Sequence, residues 1–161
     1  MKNSEKNQYI NQVIKEQVVD NPSYADARKK ILILLLIPAA FMLIDRIIAI
    51  AYGALATSSL FSLLWGLLIM AMVIFAAISG STVLAAVWLF LNAGLSAITL
   101  ISQMSRYGIG YASPILLVFY ALYIIAFVAV GIILLCERDI KEYHALAVAT
   151  RKRAKDEAAH M

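Results

Sequence analysis

The chain has 161 residues, 63% hydrophobic and 15% charged, with a mean hydropathy of +0.83; soluble domains are about 45–50% apolar and about 25% charged. This excludes an ordinary water-soluble domain, because one core of this size cannot hide so much apolar surface, and most of it is expected to face lipid. The formal charge of +4 and pI near 9.2 do not describe a nucleic-acid surface, which needs its basic residues gathered on one face. Here they collect at the two ends: residues 1–30 carry six basic and four acidic residues, residues 137–161 carry six and five, and the 106 residues between hold only Asp45, Arg46 and Arg106.

The pattern predicts an all-α integral membrane protein with a four-helix transmembrane bundle. In the tail over 1–30, Tyr9, Ile10, Val13, Ile14 and Val18 recur at helical spacing among polar residues, which predicts a short amphipathic helix. Asp20-Asn21-Pro22 breaks it. Asn21 is expected to cap a second helix that begins at Pro22, carries Asp26 in its first turn and continues into the first span. Pro38 lies inside that span and removes one backbone hydrogen bond, so a kink is expected there. Thirty largely polar residues precede the first apolar run, so no cleavable signal is expected.

Four apolar segments, at about 31–52, 58–78, 82–102 and 114–136, are each long enough to cross about 30 Å of hydrocarbon at 1.5 Å per residue. The joints carry turn chemistry: Gly53, the Ser79-Gly80-Ser81 stretch, and Gly108 with Gly110 before Ser113-Pro114, where Ser113 is expected to cap a helix with Pro114 in its first position. Past Cys136, the spacing of Glu137 with Lys141 and of Arg138 with Glu142 predicts a helical extension over 137–161, with Ile140, Tyr143, Leu146 and Ala147 as its apolar face.

Twelve of the fourteen Lys and Arg residues lie in the tails. Positive flanks resist translocation, and an even number of spans returns both termini to one side, so both tails are expected to be cytoplasmic in a multi-pass cell-membrane protein. The 52–58 and 103–113 loops would then lie outside, with Tyr52, Tyr107 and Tyr111 as an aromatic belt. Arg28, Lys29 and Lys30, and Arg151, Lys152 and Arg153, are expected to set topology and meet anionic headgroups.

Asp45 and Arg46 break the first span. A central charge costs about 2.5–3.5 kcal/mol on the insertion scale, and the thirteen Leu, Ile and Phe residues of this span return about 0.3–0.6 kcal/mol each, so insertion is close to balanced. Adjacent helical residues diverge by about 100°, so each charge is expected to need a partner on another helix. The third span offers a seam of Asn92, Ser96, Thr99 and Gln103 on one face. Counting the helical rise puts Asp45, Arg46, Asn92, Ser96 and Tyr120 in one layer of the outer half of the membrane, with Tyr123 just below. This polar intramembrane cluster is the candidate site.

Catalysis would need a nucleophile with a base, a metal cluster or a carboxylate pair. The apolar region has no histidine, its single cysteine stands at the boundary, and Asp45 is its one acid. No enzyme activity, cofactor or metal is therefore expected. The composition points to an accessory or scaffold subunit that binds other membrane proteins or a second copy of itself. The alternative is a small oligomeric transporter or channel for an ion or small solute, using Asp45, Arg46 and the seam.

Overall fold

The computed structural model describes residues 3–51, 57–107 and 114–160, with side chains for all of these except positions 3, 49–51, 57–63, 103, 106 and 107. The expectations for Gly53, Gly108, Gly110, Tyr52, Tyr111 and the Ser113 cap, and for the side chains of Gln103 and Tyr107, lie outside the described residues.

The described residues are almost entirely helical. Helix α1 (Asn3–Ile14) passes into a π-helical turn over Lys15–Val19, closed by Asp20 N–H donating to Lys15 O at 2.8 Å. Asn21 then stops the chain in an extended conformation, and its side chain accepts from Ser23 N–H at 3.0 Å, with Pro22 following as the first residue of a 3₁₀ turn. From there the chain runs directly into α2 (Ala25–Ala51), which holds Pro38 in its interior, fully buried. Helices α3 (Thr57–Ile78), α4 (Thr82–Tyr107), α5 (Pro114–Cys136) and α6 (Arg138–His160) complete the element order.

Three stretches, Pro22–Ile48, Thr82–Ser102 and Pro114–Cys136, are long and apolar enough to cross a membrane, and α3 adds a shorter apolar stretch over Leu64–Ile78. Side by side, α2 packs on α3 and α5, and α4 packs on α3 and α5. Large side chains such as Phe75, Leu84, Ile98 and Ile115 point away from these contacts and stay exposed, as expected where lipid takes the place of water.

Both tails gather at one end of the packed helices. There α6 passes under the α3–α4 turn: Tyr143 donates its hydroxyl to Ile78 O, His144 Nδ1 donates to Gly80 O, and Arg151 reaches Ser81 Oγ at 3.3 Å. Burial raises the pKa of the Tyr143 phenol, which keeps it a donor. α1 lies antiparallel against α6, since Tyr9 donates to Glu157 at 2.8 Å at one end while Val18 and Ala147 converge on Gly80 at the other. Buried positions of α6 extend past Ile140, Tyr143 and Ala147 to Thr150, Ala154 and Ala158, so its apolar face is longer than the sequence pattern suggests. Thr150 and three alanines carry much of that face; their small side chains give a weak hydropathy signal but allow α1 to approach closely.

The tail end also reassigns two sets of charges. Glu137 meets Lys30 at 3.2 Å rather than Lys141, and Asp139 shares the same ammonium, while Arg138 pairs with Glu142 at 2.9 Å as its spacing predicts. Arg28 donates to Val18 O at 3.0 Å and Asn21 O at 2.9 Å, capping the end of the π turn. It is therefore committed to holding the first tail against α2. Lys30 holds the Asp139 carboxyl below the usual carboxylate range. A depressed carboxylate stabilises the fold above its unfolded pKa, and the contribution is lost as pH falls through its folded value. Lys30→Met is therefore expected to lower the thermal midpoint at neutral pH, with a difference that closes as pH drops below the carboxylate range. A difference that persists at acid pH would exclude the ion pair as its source.

Candidate functional site

The buried core is confined to the tail-ward part of the helices. Among the described residues it ends at Pro38 in α2, Met70 in α3, Ala93 in α4 and Tyr123 in α5; beyond these positions no described side chain of those helices is buried. The helices still run side by side there, but polar and small residues along the facing positions of α4 leave space between them.

That space is a cavity of about 250 Å³ lined by Asp45 and Arg46 of α2, Asn92, Leu95, Ser96, Thr99 and Leu100 of α4, and Tyr120 of α5. Six of these residues belong to the layer and seam expected from the sequence, and the structure brings them to one site. Gln103 continues the same helix, with its side chain outside the described set. Arg28, Lys29, Lys30, Arg151, Lys152 and Arg153 lie apart from the cavity, at or near the tail end. Arg153 pairs with Glu157 at 3.1 Å, so only part of these two clusters remains open to headgroups.

Hydrogen bonds settle what the site presents. Tyr120 donates to Asp45 Oδ1 at 2.9 Å, which supplies an interhelical partner for the half-buried acid. Among the described residues Asp45 Oδ2 has only Arg46 Nε, at 3.9 Å, too long for a hydrogen bond and consistent with the poor geometry of adjacent residues. Asn92 gives one of its two amide N–H groups to Trp88 O at 2.9 Å, and Thr99 gives its hydroxyl proton to Leu95 O at 2.9 Å. Both back-bonds run along α4 itself and leave the Asn92 Oδ1 and the Thr99 oxygen as acceptors. The wall of the cavity is accordingly rich in acceptors, and Arg46 faces it as a cation whose one close polar contact among the described residues is the long approach to Asp45.

Compared with protein-family models, curated proteins and solved structures, this chain matches none. Its site is therefore read from its own geometry.

One helical turn toward the tail end, each wall changes character. Phe41 lies four residues before Asp45, Trp88 four before Asn92, and Tyr123 three after Tyr120 in the opposite-running α5. These side chains join Phe119 and Phe127 in an aromatic floor: Tyr123 and Phe127 stack at 4.3 Å between centroids, Phe41 meets Phe119 at 5.8 Å and Tyr123 at 6.2 Å, and Trp88 meets Phe127 at 6.4 Å. Of these rings only Tyr123 was expected below the polar layer; the signal for the others is the alternation of polar and aromatic residues one turn apart in all three helices, visible once the layers are aligned. On the other flank of Arg46 and Asn92 lies a second cavity of about 410 Å³, whose further lining is Met42, Trp65, Gly66, Ile69 and Trp88. This neighbour is largely apolar, so the two cavities together pair a polar chamber with an apolar groove.

The lining holds a single carboxylate, one guanidinium and neutral hydroxyl and amide groups, with no histidine or thiol among the lining residues. No group of three or more His, Cys, Asp or Glu residues suited to a metal ion occurs among the described residues.

Proposed function

We propose that this chain is a non-catalytic accessory subunit of the cell membrane, crossing the bilayer four times with both tails cytoplasmic, and that its polar cavity engages a ligand in the outer half of the membrane. The observation that carries this reading is the cavity itself. It gathers an acid, a base and an acceptor seam from three helices above a packed aromatic floor, and intramembrane charges held this way ordinarily serve function. A half-open chamber with packed rings one helical turn toward the tail end suits holding a ligand better than conducting one. The α1–α6 pair at the cytoplasmic end offers helical surface for docking other subunits.

The second reading, a small oligomeric transporter, is favoured by the same two charges, and it requires the aromatic floor to open. Reconstitution separates the two. The accessory reading expects liposomes containing the purified protein to show no proton-coupled solute flux, and expects partner proteins to co-purify from native membranes. Flux that disappears in Asp45→Asn would instead establish transport.

Topology has its own test. In a cysteine-less background, a cysteine at Ser105 is expected to react with an impermeant maleimide on intact cells, and one at Ser4 only after permeabilisation. The reverse pattern would invert the orientation, and labelling of both on intact cells would mean an even number of crossings between the two positions and overturn the four-span arrangement.

A further inference from the structure

The geometry points to a ligand that carries a primary ammonium and an acid group a few bonds apart, with the ammonium on Asp45 and the acid on Arg46. This rests on the reading of the cavity as a ligand site and specifies what it takes. Asp45 Oδ1 is already engaged by Tyr120, so the free valence is Oδ2. Asn92 commits one of its two amide N–H groups and Thr99 its hydroxyl proton to the α4 backbone, which leaves the Asn92 and Thr99 oxygens as acceptors in the lining beside Asp45 Oδ2. A primary ammonium has three N–H donors and no acceptor, which suits a lining with these three acceptors; a quaternary ammonium has no N–H to give them.

The guanidinium of Arg46 faces the same chamber with its fork of donors uncommitted to any acceptor within hydrogen-bond distance among the described residues. Carboxylate and phosphate are the groups whose oxygens fit that fork. Because Asp45 and Arg46 are adjacent in sequence, their two charges are held a short distance apart, which sets the spacing of the ligand's own charges. The chamber of about 250 Å³ lies below the range of about 300–1,000 Å³ used for drug-sized molecules and suits a headgroup or a small amino acid.

Two sources supply this chemistry, an ethanolamine phospholipid or a free zwitterion. The apolar groove beside the chamber, reached past Arg46 and Asn92 and lined by Met42, Trp65 and Ile69, provides a place for an acyl chain and favours the lipid.

The test uses the full chain purified in a maltoside detergent, with thermal unfolding followed against lysophosphatidylethanolamine, its choline analogue, lysophosphatidylglycerol, phosphoethanolamine and glycine. Lysophosphatidylethanolamine is expected to raise the midpoint saturably, and the choline and glycerol lipids to leave it unchanged. Asp45→Asn and Arg46→Gln are each expected to weaken that response about tenfold or more. Thr99→Leu, which fills the chamber without touching a charge, should abolish it and serves if a charge variant does not fold. A saturable response to phosphoethanolamine or glycine equal to that of the lipid would support the same chemistry with a soluble source. Equal responses to the ethanolamine and choline lipids, or full responses in both charge variants, would overturn the proposal. Binding selective for lysophosphatidylglycerol and lost only in Arg46→Gln would overturn it while leaving a ligand site in place. No saturable response to any probe would remove the ligand reading altogether.

Discussion

Replacing Gly80 with alanine is expected to destabilise the protein by about 2–5 kcal/mol, although the substitution adds one methyl group. Gly80 turns the chain between α3 and α4 at a φ of +85°, a conformation that L-residues adopt at a cost of about 1–2 kcal/mol. A Cβ at this position would also lie 2.0 Å from Ala147 Cβ on α6. Both groups belong to backbone-anchored elements, so neither can rotate aside, and overpacking of this kind costs a further ~1–3 kcal/mol. The two contributions separate in a double-mutant cycle. In an Ala147→Gly background the steric conflict is gone, and Gly80→Ala should then cost only the conformational part. Unfolding in detergent measures both steps. A loss in Gly80→Ala that is the same in both backgrounds would mean that α6 does not dock on this turn.

Tyr120→Phe is expected to cost about 1–2 kcal/mol and to change the polarity of the chamber. Hydrogen bonds between membrane helices average about 0.6 kcal/mol and reach about 1.7. The Tyr120 to Asp45 bond belongs at the upper end, because its acceptor is a carboxylate and its loss leaves that acid with only the distant Arg46. The half-open chamber lets water or a ligand group replace part of the loss, which keeps the value below that of a sealed core. Asp45→Ala combined with Tyr120→Phe should cost less than the sum of the single changes, since each removes the same bond. Strict additivity would show that the two side chains are not coupled.

Much of the site was legible because helical rise is local and constant. Counting 1.5 Å per residue from the expected span boundaries is enough to put Asp45, Asn92, Ser96 and Tyr120 at one depth, and the structure gathers these residues around one cavity. The i, i+3 and i, i+4 spacing likewise aligns Asn92, Ser96 and Thr99 on one face. The Asn21 cap and the start at Pro22 were legible for the same reason, since capping involves neighbours in the chain.

Rotations and partners were not legible. Spacing along α6 pairs Glu137 with Lys141, yet Glu137 turns to Lys30, because the start of α2 stands beside the start of α6 and brings one ammonium to two acids. Arg28 reads as part of a basic topology cluster and is spent on backbone carbonyls of the first tail, which the break at Asn21 folds back toward it. The Ser79-Gly80-Ser81 stretch announces a turn but not that Tyr143, His144 and Arg151 will close on it from sixty or more residues away.

Composition and periodicity by themselves determined a helical membrane protein with charged tails and the few polar residues that interrupt its apolar helices, since lipid demands satisfied backbones and local spacing fixes each helix. Only the tertiary structure decided that the buried core gives out around the depth of those polar residues, that Asn92 and Thr99 each turn a proton onto the α4 backbone, and that acceptors and one cation share a chamber. Those outcomes depend on how each helix is rotated against its neighbours. That rotation is set by contacts such as Gly80 on Ala147 and Phe41 on Tyr123, which join residues distant in the chain.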